Sequence, residues 1–115
     1  MVDVRQGDVW WAELPDATGS GPGFRRPVVV VQSDALNRSR LKTAVCVPLT
    51  SNTSWAEAPG NVLLAAGDTG LPKPSAANAS QILALDRSLL TEHAGVLPER
   101  KLTQVLQGIA LILSR

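Results

Sequence analysis

The sequence predicts a mainly β, α+β fold, a small barrel or curled sheet with one terminal helix packed on it. Three observations lead there. Short apolar runs alternate with polar loops rich in glycine and proline. One run, Pro27 to Gln32, is an almost unbroken β-branched stretch. Only the last stretch of the chain carries a helical period. At 115 residues the chain suits a single domain spanning positions 1–115.

Val9 to Leu14 reads as the first strand, with Trp10, Ala12 and Leu14 on one face and Trp11 on the other. Pro15 to Phe24 holds three glycines and two prolines, so it cannot be helical, and it is long for a hairpin turn. Pro27 to Gln32 follows as a central, buried strand, with Pro27 at the first position, where a missing N–H does least harm. Ser33 to Asn37 reads as a turn or short helix capped by Ser33 or Asp34. Thr43 to Leu49 is a further strand, and Pro48 near its end predicts an edge or a bulge. A polar loop over Ser51 to Gly60, a short strand over Asn61 to Leu64 and a third loop over Ala65 to Pro74 come next. Ala79 to Leu85 reads as a strand entered through Ala76-Ala77-Asn78, and Asp86 can cap a short helix over Arg87 to Thr91. In Pro98 to Leu113, the residues Leu102, Val105, Leu106, Ile109 and Leu113 follow the i, i+3, i+4, i+7 spacing of an amphipathic helix. Pro98 suits its first turn.

Composition narrows the function. The chain is 44% hydrophobic and 18% charged, which favours a folded body over a disordered tail. No run of eighteen or more apolar residues occurs, so no membrane span is expected. The start lacks the basic and apolar segments of a signal peptide. Cys46, the single cysteine, sits in a strand pattern and is expected to be a buried thiol. Together these features predict a cytoplasmic protein. A net charge of +1 argues against a strongly basic, non-specific nucleic-acid binder. Even so, Arg25, Arg26, Arg38, Arg40 and Lys42 fall close together, with Asp34 the one acid among them. That grouping fits either a nucleic-acid footprint or an ordinary solvated surface.

The inventory of reactive groups is short. No His/Cys/Asp/Glu grouping has metal-ligand spacing, and no phosphate-binding glycine loop is present, so no metal and no cofactor is expected. His93, the single histidine, reads as a surface or helix-end residue. Arginines and hydroxyls remain. Arginine stays protonated, so it is a poor proton acceptor but well suited to clamping a phosphate and stabilising negative charge as it develops. RNA is a substrate that carries its own nucleophile, the 2′-OH, beside the phosphate. If the chain is an enzyme, this inventory favours RNA over DNA.

Several segments, in order, resemble one family. Arg5-Gln6-Gly7-Asp8-Val9-Trp10 is similar to the Arg/Lys-x-Gly-Asp-Val/Ile-Trp/Tyr opening of the MazF/PemK (Kid)-type toxin endoribonucleases of type II toxin–antitoxin systems. The glycine-rich loop into Arg26-Pro27-Val28-Val29-Val30, the Pro48-Leu49-Thr50-Ser51 step, Leu71-Pro72 through Ser80-Gln81-Ile82 to Leu85-Asp86, and Gly95-Val96-Leu97 before the helix resemble that family's later motifs. The resemblance covers nearly the whole chain.

It implies an SH3-like, CcdB/PemK-type barrel with a C-terminal helix, acting as a homodimer. It implies metal-independent cleavage of single-stranded RNA at a short sequence, leaving 2′,3′-cyclic phosphate and 5′-OH ends. It also implies a cognate, MazE-like antitoxin whose tail covers the RNA site. Arg26 matches the family's catalytic arginine and Thr50 its catalytic threonine. On charge grounds Arg26 takes an electrostatic role, while Thr50 and Ser51 hydrogen-bond the scissile phosphate.

Arg25 and Gln81 are expected at the RNA site, and Thr18 to Phe24, including Gly21 and Gly23, is expected to form a mobile cover that selects sequence. Trp11 is placed either to pack or to stack on a base, a contact worth ~1–3 kcal/mol. Trp55 is either a lid or a stacking platform. Asp8 is expected to cap nearby N–H groups at the start of the first strand. Two departures stand out. Leu83 replaces a basic residue common in the family, and Gly19-Ser20-Gly21-Pro22-Gly23 replaces a Glu-Gln pair. The rival readings are a CcdB-like toxin that binds DNA gyrase without cleaving anything, and a plain SH3-like interaction module. Against the first, the chain ends Leu113-Ser114-Arg115, without that group's Trp-Gly-Ile tail.

Overall fold

Val28, Val29 and Val30 are each fully buried, although successive side chains on a strand point to opposite faces. Both faces of that strand must therefore be covered, and the architecture follows from this. The computed structural model describes residues 2–14 and 25–115. Among them are the strands β1 (Asp8–Glu13), β2 (Arg25–Val30), β3 (Thr43–Thr50), β4 (Val62–Leu64), β5 (Ser75–Ala77), β6 (Leu83–Asp86) and β7 (Leu90–Val96), with helices α1 (Asp34–Asn37), α2 (Ala66–Thr69) and α3 (Glu99–Ile112). The strands run in the order β4-β5-β3-β2-β1-β7, every pair antiparallel, and β6 also pairs with β3. The result is a curled half-barrel with a C-terminal helix, as the sequence predicts.

One face of β2 packs in a cluster with Val9, Val29, Val47, Leu49 and Leu64, over which Val105 of α3 closes. The other face joins Ala12, Val28, Val30, Ala44, Cys46 and Leu85, with Trp10 and Leu14 against it. The expected faces of β1 are thus observed. Cys46 is a buried thiol, and burial pushes its pKa up to about 12.

The long strand β3 makes the curl possible. One edge pairs with β2. Its other edge pairs with β6 over Thr43 to Cys46 and with β5 at Leu49 and Thr50. Pro48 therefore marks neither an edge nor a bulge. It sits where β3 changes partner, so its missing N–H breaks no ladder. Pro27 is the third residue of β2, not the first, and it lies just beyond Val28, where the ladder with β3 ends.

Other expectations change as well. Ala76 and Ala77 belong to β5, Ala79–Gln81 is a 3-10 turn, and only from Leu83 does the chain become strand. Asp86 does accept the N–H of Ser88 (2.9 Å), but the turn it caps ends at Leu89. Leu90 to Val96 is then a strand pairing with β1, so His93 is a strand residue. In α1, Ser33 stands at the N-cap without a side-chain bond, and Asp34 accepts from the N–H of Gln6 (2.8 Å) and from Asn37 (3.1 Å). These bonds favour the ionised form of Asp34 and lower its pKa, with the Gln6 contact the largest cause.

Helix α3 docks through a glycine contact. A Cβ on Gly108 would stand 1.9 Å from the Gly60 carbonyl oxygen, and Gly60 itself has φ +84. Only glycine at 108 permits this approach.

Candidate RNA-cleavage site

Where the β2–β3 ladder ends, the two strands part and a cleft of about 340 Å³ opens. Trp11 comes from β1, Arg25, Arg26 and Pro27 from the start of β2, and Leu49 and Thr50 from the end of β3, with Ser51 beside them. Leu71, Pro72 and Lys73, from the segment between α2 and β5, and Ser75, the first residue of β5, complete the wall. The β2–β3 register pairs Val28 with Pro48, and its continuation sets Thr50 at the level of Arg26. Two residues far apart in sequence are thereby brought to one opening.

Arg25 and Arg26 have different surroundings. The Arg25 guanidinium stacks 4.5 Å from the centre of the Trp11 ring. It also donates to Glu92 Oε1 (2.5 Å) and lies 3.6 Å from Glu13 Oε1. These are exposed pairs, each worth little alone, but together they define one orientation. Arg26 is half-buried, and among the described residues no acid pairs with it. Asp8 and Asp34 are engaged elsewhere. Asp8 is buried and accepts from the N–H of Arg5 (2.9 Å) and the Trp10 indole (3.3 Å), capping the start of β1 as expected. Asp34 is held in α1.

The Thr50 hydroxyl oxygen accepts from the N–H of Asn52 (3.2 Å). That contact orients the hydroxyl and leaves its own hydrogen for another acceptor. Ser51, adjacent and exposed, adds a second hydroxyl. A guanidinium with no acidic partner among the described residues, in one cleft with two hydroxyl donors, suits a phosphate group and the extra negative charge of a pentavalent phosphorane. Among the described residues no cluster of three or more His, Cys, Asp or Glu forms.

The other expected site residues are divided. Trp11 lines the cleft, with Arg25 over its ring. Gln81 does not. It is exposed at the end of the 3-10 turn before β6, because the chain bends there before the strand begins. Gly21 and Gly23, with the whole Thr18 to Phe24 cover, lie outside the described residues. Arg38, Arg40 and Lys42 are exposed but absent from the cleft lining, so the basic grouping in the sequence divides in space. Trp55 is exposed in the turn Thr53–Glu57 and does not line the cleft. His93 packs edge-to-face on Trp10 (5.2 Å) and approaches Asp8 at 3.5 Å, again outside the cleft. Leu83 packs against the second core cluster. Sequence reasoning missed Lys73 and Ser75. The available signal was a cation between two prolines, in a loop beside the Leu71-Pro72 motif.

Comparison with known proteins agrees with this architecture. A family model described as "PemK-like, MazF-like toxin of type II toxin-antitoxin system" matches residues 5–113. The chain is 40% identical over 110 residues to endoribonuclease MazF6 of Mycobacterium tuberculosis, covering 96% of each chain. The crystal structure of MazF from Deinococcus radiodurans superposes with a TM-score of 0.78 at 24% identity, covering 98% of both chains. A mycobacterial endoribonuclease in complex with its cognate antitoxin superposes with a TM-score of 0.75 at 23% identity, covering 97% of this chain and 98% of that one.

Proposed function

The chain belongs to the PemK-like, MazF-like toxins of type II toxin–antitoxin systems, and we propose that it is an endoribonuclease cutting single-stranded RNA at a short sequence without a metal. The observation that carries the chemistry is the convergence of Arg26, unpaired among the described residues, with Thr50 and Ser51 at one cleft. Thr50 and Ser51 hydrogen-bond the non-bridging oxygens of the scissile phosphate. The ribose 2′-oxygen attacks phosphorus and its proton passes to solvent. Arg26 stabilises the phosphorane charge throughout, because a guanidinium keeps its proton at any ordinary pH. The bond from phosphorus to the 5′-oxygen then breaks, and that oxygen takes a proton from solvent. The products are a 2′,3′-cyclic phosphate and a 5′-OH.

Arg25 and Trp11 form the side wall of the cleft, where a base can stack beside the guanidinium. The toxin acts as a homodimer. Leu111 and Leu113 at the end of α3 are 57% and 65% exposed, and an interface would cover them. A cognate antitoxin neutralises the enzyme by laying a flexible tail over the RNA site. The test is incubation of the purified protein with mixed-sequence single-stranded RNA in EDTA. The expected result is cleavage at few positions with cyclic phosphate ends. RNA left intact at high protein concentration would overturn the reading.

A further inference from the structure

The cleft holds three cations, Arg25, Arg26 and Lys73. The positive charge of Arg25 is already shared between Glu13 and Glu92. Among the described residues neither Arg26 nor Lys73 has an acidic partner. A polyanion entering the cleft therefore meets two charges that no described acid compensates, one on β2 and one on the loop before β5. Lys73 is also unusually well placed for a surface lysine. Pro72 and Pro74 flank it, and a following proline restricts Lys73 itself to extended backbone. Two residues to either side the chain is anchored, with Leu71 and Ser75 buried and the Leu71 N–H donating to Thr69 Oγ1 (3.1 Å). The lysine stem thus rises from a fixed base at the cleft wall, which lowers the entropy lost when its ammonium meets a ligand.

We infer that Lys73 is a phosphate-binding residue of this cleft, holding an RNA phosphate next to the scissile one and so setting substrate affinity. Arg26 cannot serve two successive phosphates at once, and Lys73 supplies the second contact. Its ammonium is a point charge, suited to holding a phosphate without the bidentate geometry of a guanidinium. This inference rests on the ribonuclease reading of the same cleft, so its test needs a readout besides cleavage.

The experiment compares wild type, Lys73→Ala, Lys73→Arg and Arg100→Ala, the last removing a cation outside the cleft. Each is assayed for cleavage of a mixed-sequence single-stranded RNA and for binding of its fully 2′-O-methylated counterpart by fluorescence anisotropy across a salt series. Lys73→Ala should raise KM roughly 5-fold or more, with kcat held within about 2-fold. It should also reduce the slope of log K against log salt by about 0.7, the value for one lost contact to a single strand. Lys73→Arg should restore both, and Arg100→Ala should match wild type. An unchanged KM and salt slope in Lys73→Ala would overturn the inference, as would an equal loss in Arg100→Ala. If wild type binds the RNA without cutting it, the ribonuclease reading fails alone, and the anisotropy slope still decides the role of Lys73. If wild type does not bind RNA, both fail.

Discussion

Arg25 and Arg26 are neighbours in sequence and opposites in circumstance. Arg25 is spread over Trp11 and tied to Glu13 and Glu92, whereas Arg26 faces the cleft without an acidic partner among the described residues. Loss of the Arg26 charge should therefore be felt mainly in turnover. Arg26→Ala is expected to lower kcat by on the order of 100- to 1000-fold, the range for removing one preorganised group that stabilises transition-state charge. Arg26→Lys should recover only part of it, because an ammonium cannot reproduce the planar fork. Thr50→Ala, which removes a hydrogen bond to a charged group, should cost roughly 10- to 100-fold. Steady-state kinetics on one RNA substrate check all three, and full activity in Arg26→Ala would show that the charge acts elsewhere. The sequence made Arg26 and Thr50 candidates through the Arg26-Pro27 and Pro48-Leu49-Thr50-Ser51 motifs, and the fold brings both to one cleft. It did not make Gln81 or Lys73 legible, because the first depends on a 3-10 turn and the second on where a loop folds back.

Among the elements, β2, β3 and α3 were readable because each carries a strong period or a β-branched run that burial rewards. β7 was not. Its sequence, Leu-Thr-Glu-His-Ala-Gly-Val, breaks its apolar residues with three consecutive polar ones, because it is the end strand of the sheet, pairs with β1 alone and leaves much of its length to solvent. The 3-10 turn at Ala79–Gln81 merges in the sequence with the apolar run Ile82 to Leu85, and a three-residue turn has no period of its own to set it apart. The docking of α3 on Gly60 gives an element-scale test. In an isolated helix Gly→Ala is favourable by about 1 kcal/mol. At Gly108 the new methyl would meet the Gly60 carbonyl, and such overpacking costs roughly 1–3 kcal/mol or more. Gly108→Ala should therefore lower Tm despite its better helix propensity, measured by thermal unfolding. A raised Tm would mean that α3 does not lie this close to the turn at Gly60.

For the whole molecule, the sheet serves to part β2 from β3 at the two prolines, and the candidate site lies in that gap. The overall class was legible from strand-rich patterning and one helix, but the convergence of four segments on the cleft was not, since it depends on β3 changing partners midway. Acid stability tests the fold around it. The pKa of Asp34 is lowered in the folded chain by the Gln6 N–H, then by Asn37. That of Asp86 is lowered by the backbone N–H and then the hydroxyl of Ser88. Carboxylates with depressed pKa values contribute stability above the unfolded value, near ~3.9, and lose it as pH falls through the folded value. Tm should therefore drop below about pH 4, and less steeply in Asp34→Asn, which keeps an acceptor for Gln6 but no titrating charge. Equal slopes in differential scanning calorimetry from pH 5 to pH 2 would assign the acid sensitivity to other groups. In the proposed reaction the substrate supplies the nucleophile while Arg26 supplies charge. This is tested most directly with an RNA carrying a single 2′-deoxy substitution at a mapped cut site. This site should remain uncut by wild type while other sites in the same strand are cleaved at their usual rates. Continued cleavage at the deoxy position would contradict it and make water the attacking group.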